Sequence, residues 1–521
     1  MPLDKITVAG QCSPQGLGAK YSWLLMALAL VTNLGAFLEL FTETPRIRWG
    51  DDTRPVYEAH VAELIGFGVL KSIPSGEVKF ISRYFAVPKK NDTARAILNL
   101  RNLSKLQRRP PSTNLPEIPQ LWEKLNAIHN GVQKRTTKIV APTLVTADIR
   151  HWFHEIPVSA SISQFFCIRL RTAFYRWCVL PMGWGHSPRI AQCISWGMIL
   201  HDAPQCIRAG HETGMESEHP PAFVTIYDAD GRENGLVTVW YDNFIIIGYN
   251  PELVDGVWSN LERNRKRIGA IWGEVNRYSA KEIRAVAHGT TLGEKSKKTP
   301  GFLGMELSVH VSPRSREQDA TSHIMWRPSE DFVRGSKNLS ETVLKTAVVT
   351  RQQVAKLVGR LVWNTYARGK SLQNEHRAIE MCRVNTPPGM VKRLWQAPTP
   401  LSKEQIHELC QRVLSSITLD WTNARCMVSR VILASDSSDD HGGYIELTES
   451  AEPRRQHSWR WPAELQKAHI FVKELVAAIR AVESLEESVR NNESIAIDLV
   501  VDKYSGGTCD STRSVYQPTR H

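Results

Sequence analysis

Residues 237–250 read VTVWYDNFIIIGYN, and they constrain the fold more than any other stretch of the chain. β-branched and aromatic residues fill both halves, as suits a pleated, buried surface. Asp242 and Asn243 interrupt the run, although strand interiors disfavour both residue types. The pair marks either a hairpin tip, for which the lack of glycine is a weak signal, or a site. A site needs partners, and LVTAD ends in the same manner, an apolar strand closed by Asp148. Two such strands can bring both carboxylates to one sheet edge. Hard oxygen ligands there suit two Mg²⁺ (or Mn²⁺) ions about 3.5–4 Å apart, the arrangement used for in-line phosphoryl displacement.

The chain has 521 residues, too many for one core, which implies two to four domains. Its net charge of +12 points to a polyanionic partner, since Lys and Arg that displace counterions from phosphates supply sequence-independent affinity. A merely basic protein is the plainer alternative. Nine cysteines with no CxxC pair argue against a disulfide framework or a zinc site. They fit a reducing, intracellular setting, cytoplasmic or nuclear. Tyr21 to Leu38 carries no charge and just reaches the minimum for a membrane span, about 18 residues. Gly18, Asn33 and Gly35 weaken that reading, and no basic cluster precedes the segment. A buried helix is expected there, with a signal or membrane segment as the alternative.

Periodicity and turn signals order the rest. Residues 55–75 read as a helix, FISRYFAVPKK as a strand, and RRPPSTNLPEIPQ as an extended connector, because proline excludes helix. QFFCIRLRTAFYRWCVLPM alternates like a hairpin, and SPRIAQCISWGMILHDA opens a helix on proline. Residues 251–275 are expected to be mostly helical, GFLGMELSV a hairpin strand, and 284–300 and 308–322 polar loops. Apolar residues at 354, 357, 358, 361, 362 and 366 form one helical stripe, with Thr350 as its N-cap. After a proline-bearing linker near 387–400, VILASDSS, IFVKELVAAIRAVESL and IAIDLVVD read as strand, helix and strand.

LVTADIRHWFHEIPV, LPMGWGHSPRIAQ and VWYDNFIIIG, in that order, resemble motifs A, B and C of retroelement reverse transcriptases. FAVPKKNDTARAILNLRNLSKL is similar to the fingers segment of that family, GFLGMELSV to its primer-grip hairpin, and TRQQVAKLVGRLVWNTYARGKSL to the thumb helix that follows. The matches cover roughly residues 55–372. The resemblance implies an α+β fold, a right-hand polymerase of fingers, palm and thumb. It implies an RNA template, a DNA primer and dNTPs as partners. Asp148 and Asp242 fall where the family holds its catalytic metals, and Phe153 where an aromatic ring presses on the sugar of the incoming nucleotide. Arg95, with Lys89 or Lys90, falls where the triphosphate is clamped, which suits guanidinium geometry. Pro181, Met182, Gly183 and Gln192 belong to the turn and helix that shape the nucleotide pocket. Motif C departs from Tyr-x-Asp-Asp, since Trp240-Tyr241-Asp242-Asn243 stands in its place. Asn243 is therefore a degenerate metal ligand. Either polymerisation is weakened or this lineage tolerates the amide.

Further on, Asp436 ends an apolar strand, Glu474 lies on an apolar helix face, and Asp502 closes another strand. This order resembles the first three metal-binding, catalytic carboxylates of ribonuclease H, an α/β domain that cleaves the RNA of an RNA–DNA hybrid. Only 19 residues follow Asp502, so the domain is expected to be truncated. HIFVKELVAAIRAV, behind SWRWPAELQ, resembles ribonuclease H of tyrosine-recombinase retrotransposons (DIRS-like and VIPER-like) more than retroviral forms. The expected layout is an N-terminal segment 1–54, fingers and palm 55–325, thumb and connection 326–400, and a ribonuclease H-like domain 401–521. A reverse transcriptase with attached ribonuclease H leads this reading, two metal ions in each active site. Its rivals are a catalytically decayed copy that only binds nucleic acid and a membrane-anchored basic protein.

Overall fold

The computed structural model describes residues 2–6, 9–18, 20–44, 58–89, 92–111, 113–136, 138–208, 219–287, 300–312, 321–369, 375–386, 392–423, 429–438, 440–447, 453–466, 468, 470–483 and 495–501. The chain mixes helix and sheet in two compact units. The first comprises Met1–Glu117, Ile128–Phe302 and Ser308–Ser322; the second comprises Ile118–Ala127, Leu303–Leu307 and His323–His521.

A five-stranded antiparallel sheet organises the first unit. Its strand order is Trp272–Tyr278, Thr143–Ile149, Asn243–Gly248, Glu233–Trp240, Phe223–Tyr227. The apolar halves of the opening sequence thus form a tight hairpin in which Trp240 pairs with Asn243 across Tyr241 and Asp242. Behind the hairpin runs the Ser187–Leu200 helix, opened by Pro188 and buried at every other position. A helix apolar nearly all round belongs in an interior. The uncharged N-terminal run supplies its cover: helices Ser22–Thr32 and Leu34–Leu38 break at Asn33, whose side chain caps the second by accepting from the Ala36 N–H. Trp23, Leu24, Leu28 and Phe37 join the same core as the sheet. No helix among the described residues is long and apolar enough to cross a membrane.

Several expectations shift. The Ile118–Gln133 helix starts inside the proline-rich connector, because Pro119 stands in its first turn, where a missing N–H costs nothing. The helix expected over 251–275 stops at Ile268 on Gly269 (φ +80°), and Trp272–Tyr278 is a strand. Ala280–Ala287 extends helix into the expected 284–300 loop. Strands Met305–Ser312 and Thr321–Pro328 take the ends of the expected 308–322 loop.

In the second unit, the Arg351–Ala367 helix carries the expected capping box: Thr350 accepts from the Gln353 N–H and Gln353 reaches back. Val354, Leu357, Val358 and Leu361 of its stripe are buried against Val343, Leu409 and Val413. A four-stranded sheet follows in the order Pro453–Arg460, His441–Leu447, Ser429–Ser437, Ile495–Val501. The first three strands are antiparallel; the last pairs in parallel with Ser429–Ser437 after the Ile470–Glu483 helix. Parallel neighbours require such a crossover.

Glu155 is fully buried, its carboxylate accepting the Ile271 N–H, at 3.2 and 3.3 Å. Burial pushes its carboxyl up to about 8, against the pull of that N–H and of Arg265. The folded state therefore favours the protonated acid. Its contribution to stability is complete below the ordinary glutamate value and is lost as pH rises through about 8. Urea unfolding at pH 5 and pH 8 is expected to show the wild type losing on the order of a few kcal/mol at the higher pH. Glu155→Gln should flatten that difference, and an unchanged pH dependence would contradict this account.

Candidate active site

The Asp148 and Asp242 carboxyls are brought to one edge of the five-stranded sheet. Asp148 is the penultimate residue of its strand and pairs directly with Asn243 on one side and Glu274 on the other. Asp242 lies in the hairpin turn rather than at a strand end, and its carbonyl accepts the Ile149 N–H at 3.0 Å. The Asp-Asn pair thus forms the turn that carries the candidate site. In that turn Tyr241 takes φ +57°, a left-handed conformation that bulky residues avoid unless their surroundings impose it.

The buried helix imposes it. Gln192 is fully buried, donates from Nε2 to the Val239 carbonyl at 2.8 Å and accepts the Tyr241 N–H on Oε1 at 2.7 Å. Ser195, one turn on, donates to the Tyr241 carbonyl. Both ends of the amide of Gln192, a residue expected at the nucleotide pocket, bond the backbone that carries Asp242. Gly183 packs against the neighbouring hairpin. Its φ of +113° and missing Cβ serve a close approach to the neighbouring hairpin, since a Cβ would sit 2.1 Å from the Leu98 carbonyl oxygen. Met182 is half-buried, and its carbonyl accepts the Leu98 N–H at 3.1 Å.

Burial pushes the Asp242 carboxyl up to about 6, with the Asp148 charge adding to the rise. Backbone N–H donation, the Asn243 amide at 2.7 Å and the Arg95 guanidinium oppose it. Two acids crowded in this way fit a divalent cation, which would relieve the repulsion. Among the described residues no three His, Cys, Asp or Glu side chains form a metal cage. Mg²⁺ does not need one, because it keeps waters and uses one or two carboxylates plus substrate phosphates.

Arg95 stands exposed on the Ala94–Asn99 strand and bears on both Asp242 and Asp4. Lys89, at the tip of the same hairpin, is ion-paired with Asp4, and His151 Nδ1 lies 3.8 Å from the same carboxylate. The Asp4 carboxylate therefore occupies Lys89, one of the cations expected to meet phosphates. Asp4→Asn should tighten binding of inorganic tripolyphosphate severalfold in calorimetry; equal binding by both proteins would mean that the pair is structural only. Phe153 is half-buried on the short Trp152–Glu155 helix. Lys90 lies outside the described residues.

In the second sheet, Asp436 is exposed and its carboxylate accepts the Ser437 N–H at 2.7 Å. Glu474 belongs to the Ile470–Glu483 crossover helix. Val501 pairs with Ser435, and Asp502 lies outside the described residues. Sequence reading missed Asp4, His151, Ser195 and Gly273. Only Ser195 left a signal: with Gln192 it places two polar residues three apart on a largely apolar helix, facing the same way.

No family model matches the chain, and no curated protein does. Among solved structures it is similar to the foamy viral protease-reverse transcriptase in complex with RNA/DNA hybrid. That match has 13% identity and a TM-score of 0.44, covering 88% of this chain and 50% of that one. The same viral protein in complex with dsDNA is similar at 12% identity and a TM-score of 0.40, covering 88% and 76%. Its dRH form with ds DNA matches at 12% identity and a TM-score of 0.42, covering 88% and 64%. The chain thus spans between half and about three quarters of those proteins' length.

Proposed function

We propose that the chain is an RNA-directed DNA polymerase of a retrotransposon of the tyrosine-recombinase kind, with a ribonuclease H-like domain behind it, acting inside the cell. One observation carries the reading: a strand carboxylate and a turn carboxylate, Asp148 and Asp242, meet at one sheet edge within reach of the Arg95 charge. In this reading the sheet is the palm, the Arg83–Pro88 and Ala94–Asn99 hairpin belongs to the fingers, and the Arg351–Ala367 helix to the thumb. Mg²⁺ held there would acidify the primer 3′-OH and neutralise charge on the departing pyrophosphate. The chain's own groups do the rest. Asp148 and Asp242 hold the cations, Arg95 with Lys89 or Lys90 orients the triphosphate, and the Phe153 ring crowds a ribose 2′-OH. Basic surface elsewhere would track the template-primer backbone.

The second sheet supports the ribonuclease H part by its topology, three antiparallel strands followed by a crossover helix and a parallel strand. Asp436, Glu474 and Asp502 are the acids that would serve it. Primer extension on poly(rA)/oligo(dT) with dTTP tests the polymerase. Incorporation in Mg²⁺ or Mn²⁺ that stops on chelation is the expected result. Salt-sensitive binding of the duplex without incorporation would favour the rival reading, a decayed nucleic-acid-binding copy, for which Asn243 speaks.

A further inference from the structure

The Asp148 carboxylate rests against the edge strand of the sheet, over a gap left by Gly273. A Cβ at Gly273 would stand 2.6 Å from Asp148 Oδ2 and 3.3 Å from Oδ1. The pairing slips at that point: Trp272 faces Ile149 and Glu274 faces Asp148, so Gly273 is one residue too many and the strand bulges. The bulge turns the Glu274 N–H toward the carboxylate, to which it donates at 2.7 Å on Oδ1. Bulges of this kind bend a strand and re-aim the side chains beside it. Gly273 is exposed and its φ is not positive, so backbone conformation does not demand glycine here. What requires it is the space taken by the Asp148 carboxylate.

We propose that the Gly273 bulge is a positioning device for Asp148, holding its carboxylate in the orientation that receives the cation. The proposal rests on the reading of Asp148 as a metal ligand. Gly273 supplies the empty volume, and the Glu274 N–H fixes one oxygen of the carboxylate. An alanine methyl would push the carboxylate out of this seat and break the N–H bond. The backbone itself takes alanine without a conformational penalty, since φ at this position is not positive.

The test is titration of the full chain with Tb³⁺, a hard oxygen-seeking probe read by its luminescence, alongside the Mg²⁺ midpoint for primer extension. Proteins compared are wild type, Gly273→Ala, Asp148→Asn and Gly256→Ala. The last is a control, since a Cβ at Gly256 meets nothing within 4 Å. Gly273→Ala is expected to weaken Tb³⁺ binding about 10–100-fold, the usual cost of losing an outer-shell support, with melting unchanged. Gly256→Ala should bind as wild type does. Weakening in Asp148→Asn without weakening in Gly273→Ala would overturn the positioning role alone. Identical Tb³⁺ binding by Asp148→Asn and wild type would overturn it together with the metal reading of the site. Should Gly273→Ala melt early, Gly273→Ser supplies the second reading, and wild-type affinity in that variant would equally overturn the proposal.

Discussion

Asp242→Ala is expected to abolish templated nucleotide addition, and Asn243→Asp to raise it by about one to two orders of magnitude. The two effects share a cause. Asp242 and Asp148 are the negative charges that the turn and its neighbouring strand bring together, and removing either leaves a single acid for two divalent ions. Asn243 pairs directly with Asp148 and donates its amide to Asp242 at 2.7 Å. It therefore partly satisfies Asp242 with a neutral donor at the place where a second acid would add charge. Restoring the carboxylate exchanges that hydrogen bond for repulsion in the absence of metal, so the variant should melt earlier without Mg²⁺ and recover when Mg²⁺ is added. Measured extension rates and metal-dependent melting check both arms. Activity that is equal in wild type and Asn243→Asp, each dependent on Asp242, would mean that this site works with the amide and that the missing charge is not limiting.

The acids proposed to carry the chemistry were legible because they break a strong pattern. An Asp inside a β-branched run is locally unfavourable, and such conflicts between local preference and fold are expected at functional positions. The hairpin itself was less legible. Its turn contains no glycine, and Tyr241 accepts a left-handed φ only because the helix behind holds its N–H and carbonyl. That support comes from residues some 50 positions away, which no local pattern encodes. The strand at Trp272–Tyr278 was hidden for another reason: WGEVNRY follows a long amphipathic helix and lacks a clean alternation, since this edge strand is exposed on most of its length. Gly269 at the helix end was the available stop signal. The bulge at Gly273 left no trace at all, because a register slip changes pairing and not composition. The uncharged N-terminal run was readable as buried and the Ser187–Leu200 segment as a helix, but their packing against each other was not.

Gln192→Leu is the substitution outside the acids from which the largest loss is expected. It keeps the volume of a side chain that is fully buried but strands the Tyr241 N–H and the Val239 carbonyl away from water. Each such group costs about 1–3 kcal/mol, so unfolding free energy should fall by about 2–6 kcal/mol. The functional effect follows from strain. Freed of its clamp, Tyr241 can relax from φ +57° and carry Asp242 with it. A shift of about 1 Å in a reacting group costs roughly 100-fold in rate. Ser195→Ala removes one bond to the same turn, at the Tyr241 carbonyl, and should show the same signs to a smaller degree. Urea unfolding gives the first quantity, and primer extension at a temperature where both variants remain folded gives the second. A folded Gln192→Leu protein that extends at the wild-type rate would show that the turn holds its shape without the Gln192 clamp. In that case the strain at Tyr241 would have to be sustained by the Ser195 bond and by the strand pairing of Trp240 with Asn243.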